Sequence, residues 1–92
     1  MKDLCFRKID LLGEIGDENI RQIKKWGVQD HSPAEWLMYA TEEIGETAKA
    51  IGEYEYRGGL AEGVVKESIQ TATLMLKIAE MFQDLLITKL EV

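Results

Sequence analysis

Apolar residues recur along this chain at helical spacing and almost never in strict alternation. Leu4, Ile9, Leu11, Leu12, Ile15, Ile20 and Ile23 mark a first segment over residues 3–25. Gly13 and Gly16 weaken its middle, so it can form one helix or two shorter ones. Lys24 and Lys25 suit a helix C-terminus, and Gly27 supplies a stop. A second start follows at Ser32-Pro33-Ala34-Glu35. That is a capping-box pattern: Ser32 is the N-cap, proline sits where no N–H is needed, and Glu35 reaches back.

The second segment spans residues 33–56, with Trp36, Leu37, Ala40, Ile44, Ala48 and Ile51 as its apolar face. Arg57-Gly58-Gly59 ends it, and paired glycines permit the left-handed turn of an antiparallel helical hairpin. The third segment spans residues 60–90. Leu60, Val64, Leu74, Ile78, Met81 and Leu85 form one stripe, widened by Val65, Ala72, Met75, Leu76, Ala79 and Leu86. Its polar strip, Glu62, Lys66, Thr73, Lys77, Glu80 and Asp84, is narrow. A helix this apolar needs cover on more than one side. The expected fold is all-α: an antiparallel helical hairpin plus an N-terminal helix or helices, completed into a bundle by oligomerisation.

Composition narrows this further. Ninety-two residues make one domain, with little core of its own. A net charge of -6 excludes a general nucleic-acid binder, because phosphate backbones would be repelled. Cys5 is the only cysteine, which excludes an intrachain disulfide and a multi-cysteine zinc site and fits a cytoplasmic setting. Charges interrupt Met1–Gly16, so a signal peptide is not expected there. The longest uncharged run, Ser68–Leu76, is far short of a membrane helix.

One residue breaks the pattern. Glu67 lies inside the main apolar stripe, three residues after Val64 and seven before Leu74. An ionised carboxylate there is costly without a cation, a basic partner or an opening to water. Gln70 sits one turn later on the same side. On the second segment, Glu43 and Glu46 are neighbours at i, i+3 beside the apolar face, with Glu42 further round. In an antiparallel hairpin their edge can face Glu67 and Gln70. Carboxylates so placed on facing helices can hold a hard divalent ion such as Mg²⁺. Most bare ExxE pairs on helices are solvated surface, and Glu67 could instead pair with a lysine or arginine at a subunit interface.

Glu42-Glu43-Ile44-Gly45-Glu46, followed by Glu67-Ser68-Ile69-Gln70, resembles the EExxE…ExxD signature of MazG-like proteins in the all-α NTP pyrophosphatase superfamily. The lead-in Lys25-Trp26-Gly27-x-Gln29-x-His31-Ser32-Pro33, with Trp36-Leu37 after it, is similar to that of short phage- and prokaryote-type members. The resemblance covers residues 20–80. It implies a homodimer or homotetramer that hydrolyses a (d)NTP to (d)NMP and pyrophosphate with Mg²⁺, or Mn²⁺ in its place. It implies metal ligands at Glu43, Glu46, Glu67 and Gln70, and Glu42 as the group that orients or deprotonates water. The chain departs from the signature at Gln70, where the family has Asp: an amide oxygen can ligate Mg²⁺ but brings no charge.

Trp26, His31, Trp36 and Tyr39 are further candidates for contact with a base, and Lys24, Lys25, Arg57 and Lys66 for contact with phosphates. Core packing is the stronger reading for Trp36 and a place before the helix cap for His31, and solvated helix ends are the default reading of the cations. A noncatalytic nucleotide- or metal-binding relative and a structural helical oligomerisation module remain as alternatives to the enzyme.

Overall fold

The computed structural model describes residues 10–91, with side chains through residue 87. It contains three helices: α1 (Asp10–Trp26), α2 (Pro33–Tyr56) and α3 (Ala61–Glu91). The part of the first segment before Asp10, with Leu4, Cys5 and Ile9, lies outside the described residues.

From Asp10 onward α1 is one unbroken helix through Gly13 and Gly16. Each glycine costs an exposed helix about 1 kcal/mol relative to alanine. Local pairs work against that cost: Arg21 makes two hydrogen bonds to the Glu18 carboxylate, at 2.8 and 2.7 Å, and Gln22 a third at 2.7 Å. Gly27 ends the helix at φ 76°, donating to the Ile23 carbonyl. The box at Ser32 forms as expected. Glu35 N–H donates to Ser32 Oγ at 3.2 Å, and Ser32 N–H donates to Glu35 Oε1 at 3.0 Å. The Ser32 N–H, followed by the Ser32 hydroxyl, holds the exposed Glu35 carboxyl below its ordinary range.

At the far end of α2, the N–H groups of Arg57 and Gly59 both donate to the Glu53 carbonyl. Gly58 takes φ 72°, and a Cβ on Gly59 would approach Glu53 at 3.0 Å. Glycine is needed at both positions for different reasons, one conformational and one steric.

α3 is the centre of the molecule: α2 and α1 each pack against it, and they do not pack against each other. The α2–α3 seam is a ladder of mixed chemistry. Trp36 faces Lys77, Ala40 and Leu74 form a buried layer, Glu43 faces Gln70 and Glu67, and Thr47 Oγ1 meets Thr71 Oγ1 at 3.3 Å. Each hydroxyl is also within reach of a carbonyl of its own helix, at Glu43 and Glu67, so one of the two can give its single proton across the seam while the other gives its proton inward. This fixes their rotamers and pins the register of the hairpin one turn from the carboxylates.

The apolar face expected on α2 does not point into the hairpin. Of its members, Ala40 is buried and Trp36 half-buried, whereas Leu37, Ile44, Ala48 and Ile51 are exposed. On α3, Leu74 is buried and Val64, Ile78 and Met81 half-buried, but Leu60 and Leu85 are exposed. The polar strip of α3 is only in part its solvent face: Glu62, Lys66, Glu80 and Asp84 are exposed, but Thr73 is 2% exposed and Lys77 bonds to Asn19 on α1. The reason is rotational. At about 100° per residue, Leu37, Ile44, Ala48 and Ile51 lie a quarter turn from the Trp36–Ala40–Glu43–Thr47 line that touches α3. Ala72, Met75, Ala79, Phe82 and Leu86 lie a quarter turn from the corresponding line of α3. In antiparallel helices both offsets lead to the same side of the hairpin, opposite α1.

The accessible surface is 7657 Å², against about 5,400 Å² for a compact monomer of this mass. Among the described residues, Ala40 and Leu74 are the buried hydrophobic ones. Among the described residues, no helix is long and apolar enough to cross a membrane.

Losing the cap of α2 should be measurable on so small a core. Ser32→Ala is expected to lower unfolding stability by about 1 kcal/mol, and Ser32→Gly by a few tenths. Urea titration followed by circular dichroism would read both. An unchanged midpoint in Ser32→Ala would mean that the box does not hold α2 in place.

Candidate functional site

The seam places Glu43 of α2 and Glu67 of α3 against one amide. With that amide turned to satisfy both carboxylates, Gln70 Nε2 donates to Glu43 Oε2 and to Glu67 Oε2, each at 3.0 Å. Glu67 lies within reach of Glu43, so a proton on either carboxyl can bridge the two. Burial pushes the Glu43 carboxyl up from its ordinary 4.5 to about 7, and the bond to Glu67 and the charges of Glu67, Glu46 and Glu18 push the same way. Arg21 is within electrostatic reach of Glu43, but its guanidinium is already paired with Glu18, whose carboxyl it holds below the ordinary range. The seam is therefore short of positive charge.

Beside this pair lies a cavity of about 700 Å³, within the range of small-molecule sites. Glu42, Glu43 and Gln70 line one part of it; Trp26, His31, Trp36 and Tyr39 line another. The aromatic groups support each other edge to face. His31 lies 4.8 Å from the Trp36 ring centre and 5.1 Å from that of Tyr39. Its Nε2 is 3.0 Å from Gln29 Oε1, and its Nδ1 is 3.8 Å from Glu35. The helix cap thus also helps set the angle of an aromatic wall.

Other expected site residues lie elsewhere in the chain. Glu46 is exposed but near enough to raise Glu43 electrostatically. Lys25 sits over the Trp26 ring at 4.7 Å and does not line the cavity. Arg57 pairs with Glu53 at 3.1 Å at the opposite end of α2. Lys66 borders a separate groove between α1 and α3, with Glu14, Asp17 and Glu18. Lys24 does not line the cavity either.

Periodicity pointed to none of Asn19, Arg21, Gln22 or Lys77 as cavity residues, yet all four line it. Gln22 is buried and Lys77 half-buried. Lys77 Nζ donates to Asn19 Oδ1 at 2.7 Å and stands 5.3 Å from the centre of the Trp36 ring. Burial lowers its ammonium from the ordinary lysine range. The available signal was a cation between apolar positions on a helix already crowded with partners.

Among the described residues, no three acidic, histidine or cysteine side chains converge as a metal-holding group. The donor set nevertheless suits a hard divalent cation. It offers two adjacent carboxylates short of positive charge, and an amide whose oxygen would face them after a half-rotation. Mg²⁺ commonly takes one or two carboxylates and completes its shell with water and substrate phosphates.

No family model, curated protein or solved structure matches the chain. The likeness to MazG-like proteins rests on the motif residues alone.

A carboxyl raised on folding binds its proton more tightly in the native state. Native stability then falls as pH rises from about 4.5 to about 7 and stays lower above that. Metal-free protein should show this decline in melting temperature, and Glu43→Gln should flatten it. A decline of equal size in Glu43→Gln would assign the proton to another group.

Proposed function

We propose that the chain hydrolyses a (d)NTP to (d)NMP and pyrophosphate in a divalent-metal-dependent reaction. The observation that carries this reading is the Glu43–Gln70–Glu67 cluster beside an aromatic-lined cavity of nucleotide size. A plain oligomerisation module has no need to hold two carboxyls together in a partly desolvated seam.

Glu43, Glu67, Gln70 through its oxygen, and Glu46 would hold Mg²⁺. When bound, the ion supplies positive charge to the phosphates and lowers the pKa of water. Trp36, Tyr39 and His31 bind the flat, apolar part of the substrate; Trp26 borders the same space. Glu42, exposed at the cavity wall, accepts the proton of the attacking water. The water oxygen bonds to the α-phosphorus, the bond from that phosphorus to the bridging oxygen breaks, and pyrophosphate leaves. Arg21, a cavity residue within electrostatic reach of Glu43, is better placed for phosphates than Arg57 or Lys66 in the same chain.

A second reading has its own support. Gln70 satisfies both carboxylates by donating its nitrogen, which closes the cluster without a cation. That arrangement favours a nucleotide-binding protein that does not turn its ligand over.

The exposed apolar side of the hairpin supports assembly into a homodimer or homotetramer. Leu37, Ile44 and Ile51 on α2, with Met75, Phe82 and Leu86 on α3, are exposed on that side, where pairing with a second hairpin would bury them in a four-helix bundle.

Two measurements test these readings. A panel of (d)NTPs with Mg²⁺ or Mn²⁺ should yield pyrophosphate and monophosphate from at least one member, and Glu67→Ala should lower the rate by at least about a hundredfold. Turnover that survives Glu67→Ala would remove the proposed site, and tight binding with no product would select the second reading. Sedimentation should give a dimer or tetramer for the native chain and a smaller species for Ile44→Glu. A native monomer at micromolar concentration would sink the assembly.

A further inference from the structure

We propose that Asn19 and Lys77 read the edge of the nucleobase, selecting a base with two adjacent acceptors, guanine or cytosine, over adenine and thymine or uracil. This rests on the nucleotide reading of the cavity and adds a base preference to it.

Lys77 lies seven residues beyond Gln70 on α3, and Trp36 seven before Glu43 on α2. Both steps are about 10 Å along their helices. In an antiparallel hairpin they lead to the same layer, where Lys77 Nζ stands 5.3 Å from the centre of the Trp36 ring. A nucleotide whose phosphates lie at the carboxylates would bring its base to this layer. There the wall is aromatic, with His31 and Tyr39 on the same side as Trp36.

Lys77 and Asn19 bring donors to that layer, beside the Glu80 carboxylate. Lys77 gives one proton to Asn19 Oδ1 at 2.7 Å. Asn19 keeps the two protons of its amide nitrogen, and Lys77 keeps two of its own. Both residues line the cavity, so donors from two helices face one space. Two adjacent donors require two adjacent acceptors. Guanine offers O6 and N7, and cytosine offers O2 and N3. Adenine flanks each ring acceptor with an amino group or a C–H, and thymine and uracil separate their carbonyls with an N–H.

Lys77 is a poor choice for a phosphate contact. Glu80 lies close enough to act on the Lys77 charge and lines the same cavity, so a polyanion there would meet a carboxylate as well. A neutral base does not carry that penalty.

The test is calorimetric titration of the full chain, with Mg²⁺, using non-hydrolysable α,β-methylene analogues of dGTP, dCTP, dATP and dTTP. The guanine or cytosine analogue should bind at least about tenfold more tightly than the adenine and thymine analogues. Lys77→Met and Asn19→Ala should each shrink that gap to within about twofold, by weakening the preferred base and sparing the others. Circular dichroism checks that both variants fold, and Asn19→Ala, which favours helix, serves if Lys77→Met does not. An equal loss for all four analogues would overturn the proposal by making Lys77 a phosphate contact, and so would a preference that survives both variants. Equal binding of the four by the native chain would sink the base preference and leave the nucleotide reading standing. Binding of none would sink both.

Discussion

Two like charges meet at the α2–α3 seam, and the surrounding structure is arranged around tolerating them. Glu43 and Glu67 come together where carboxylates lose part of their hydration, and Arg21 is held by Glu18 and so does not neutralise them. The seam accommodates the pair with a proton and with the Gln70 amide. It holds the pair in place with small and polar neighbours. Ala40 lets the helices approach, and the Thr47–Thr71 contact fixes their register one turn away. A seam optimised for stability would place leucines at these positions. This one gives up apolar burial within the chain to hold two acids a short distance apart.

That exchange explains the inside-out character of the single chain. Most of the apolar face of α2 and the second apolar stripe of α3 lie a quarter turn from the seam and stay largely exposed, while Thr73 and Lys77 of the polar strip of α3 are covered. Hydrophobic burial and site chemistry are thus assigned to different faces of the same two helices. A helix has room for both, because residues a quarter turn apart do not compete for the same neighbour.

The helices and the hairpin were legible in the sequence because their signals are local. Ser32, Pro33 and Glu35 start α2, and Gly58 and Gly59 end it by backbone geometry alone. Glu67 was legible as an anomaly, since a carboxylate in an apolar stripe stands out against its own period. The facing of α2 was not legible. Periodicity finds the apolar side of a helix, and it does not say whether that side meets its own chain. Lys77 and Asn19 were hidden for a related reason. They stand 58 residues apart in the chain, and each alone reads as an ordinary solvated position. The cations Lys25, Arg57 and Lys66 show the converse: charge alone suggested a shared role, and the fold sends them to three different places.

α1 packs on α3 and leaves α2 alone, so the cavity has walls of unequal mechanical standing. Glu43, Glu67 and Gln70 belong to the hairpin, whose two helices are locked by a tight turn and a pinned register. Asn19, Arg21 and Gln22 belong to a helix joined to α2 through the short 27–32 connection. Rolling α1 about the axis of α3 would change the width of the cleft without disturbing the carboxylates. Aperture and chemistry are in this sense separate coordinates: one is set by how a single helix leans, the other by a hairpin that stays fixed while it does.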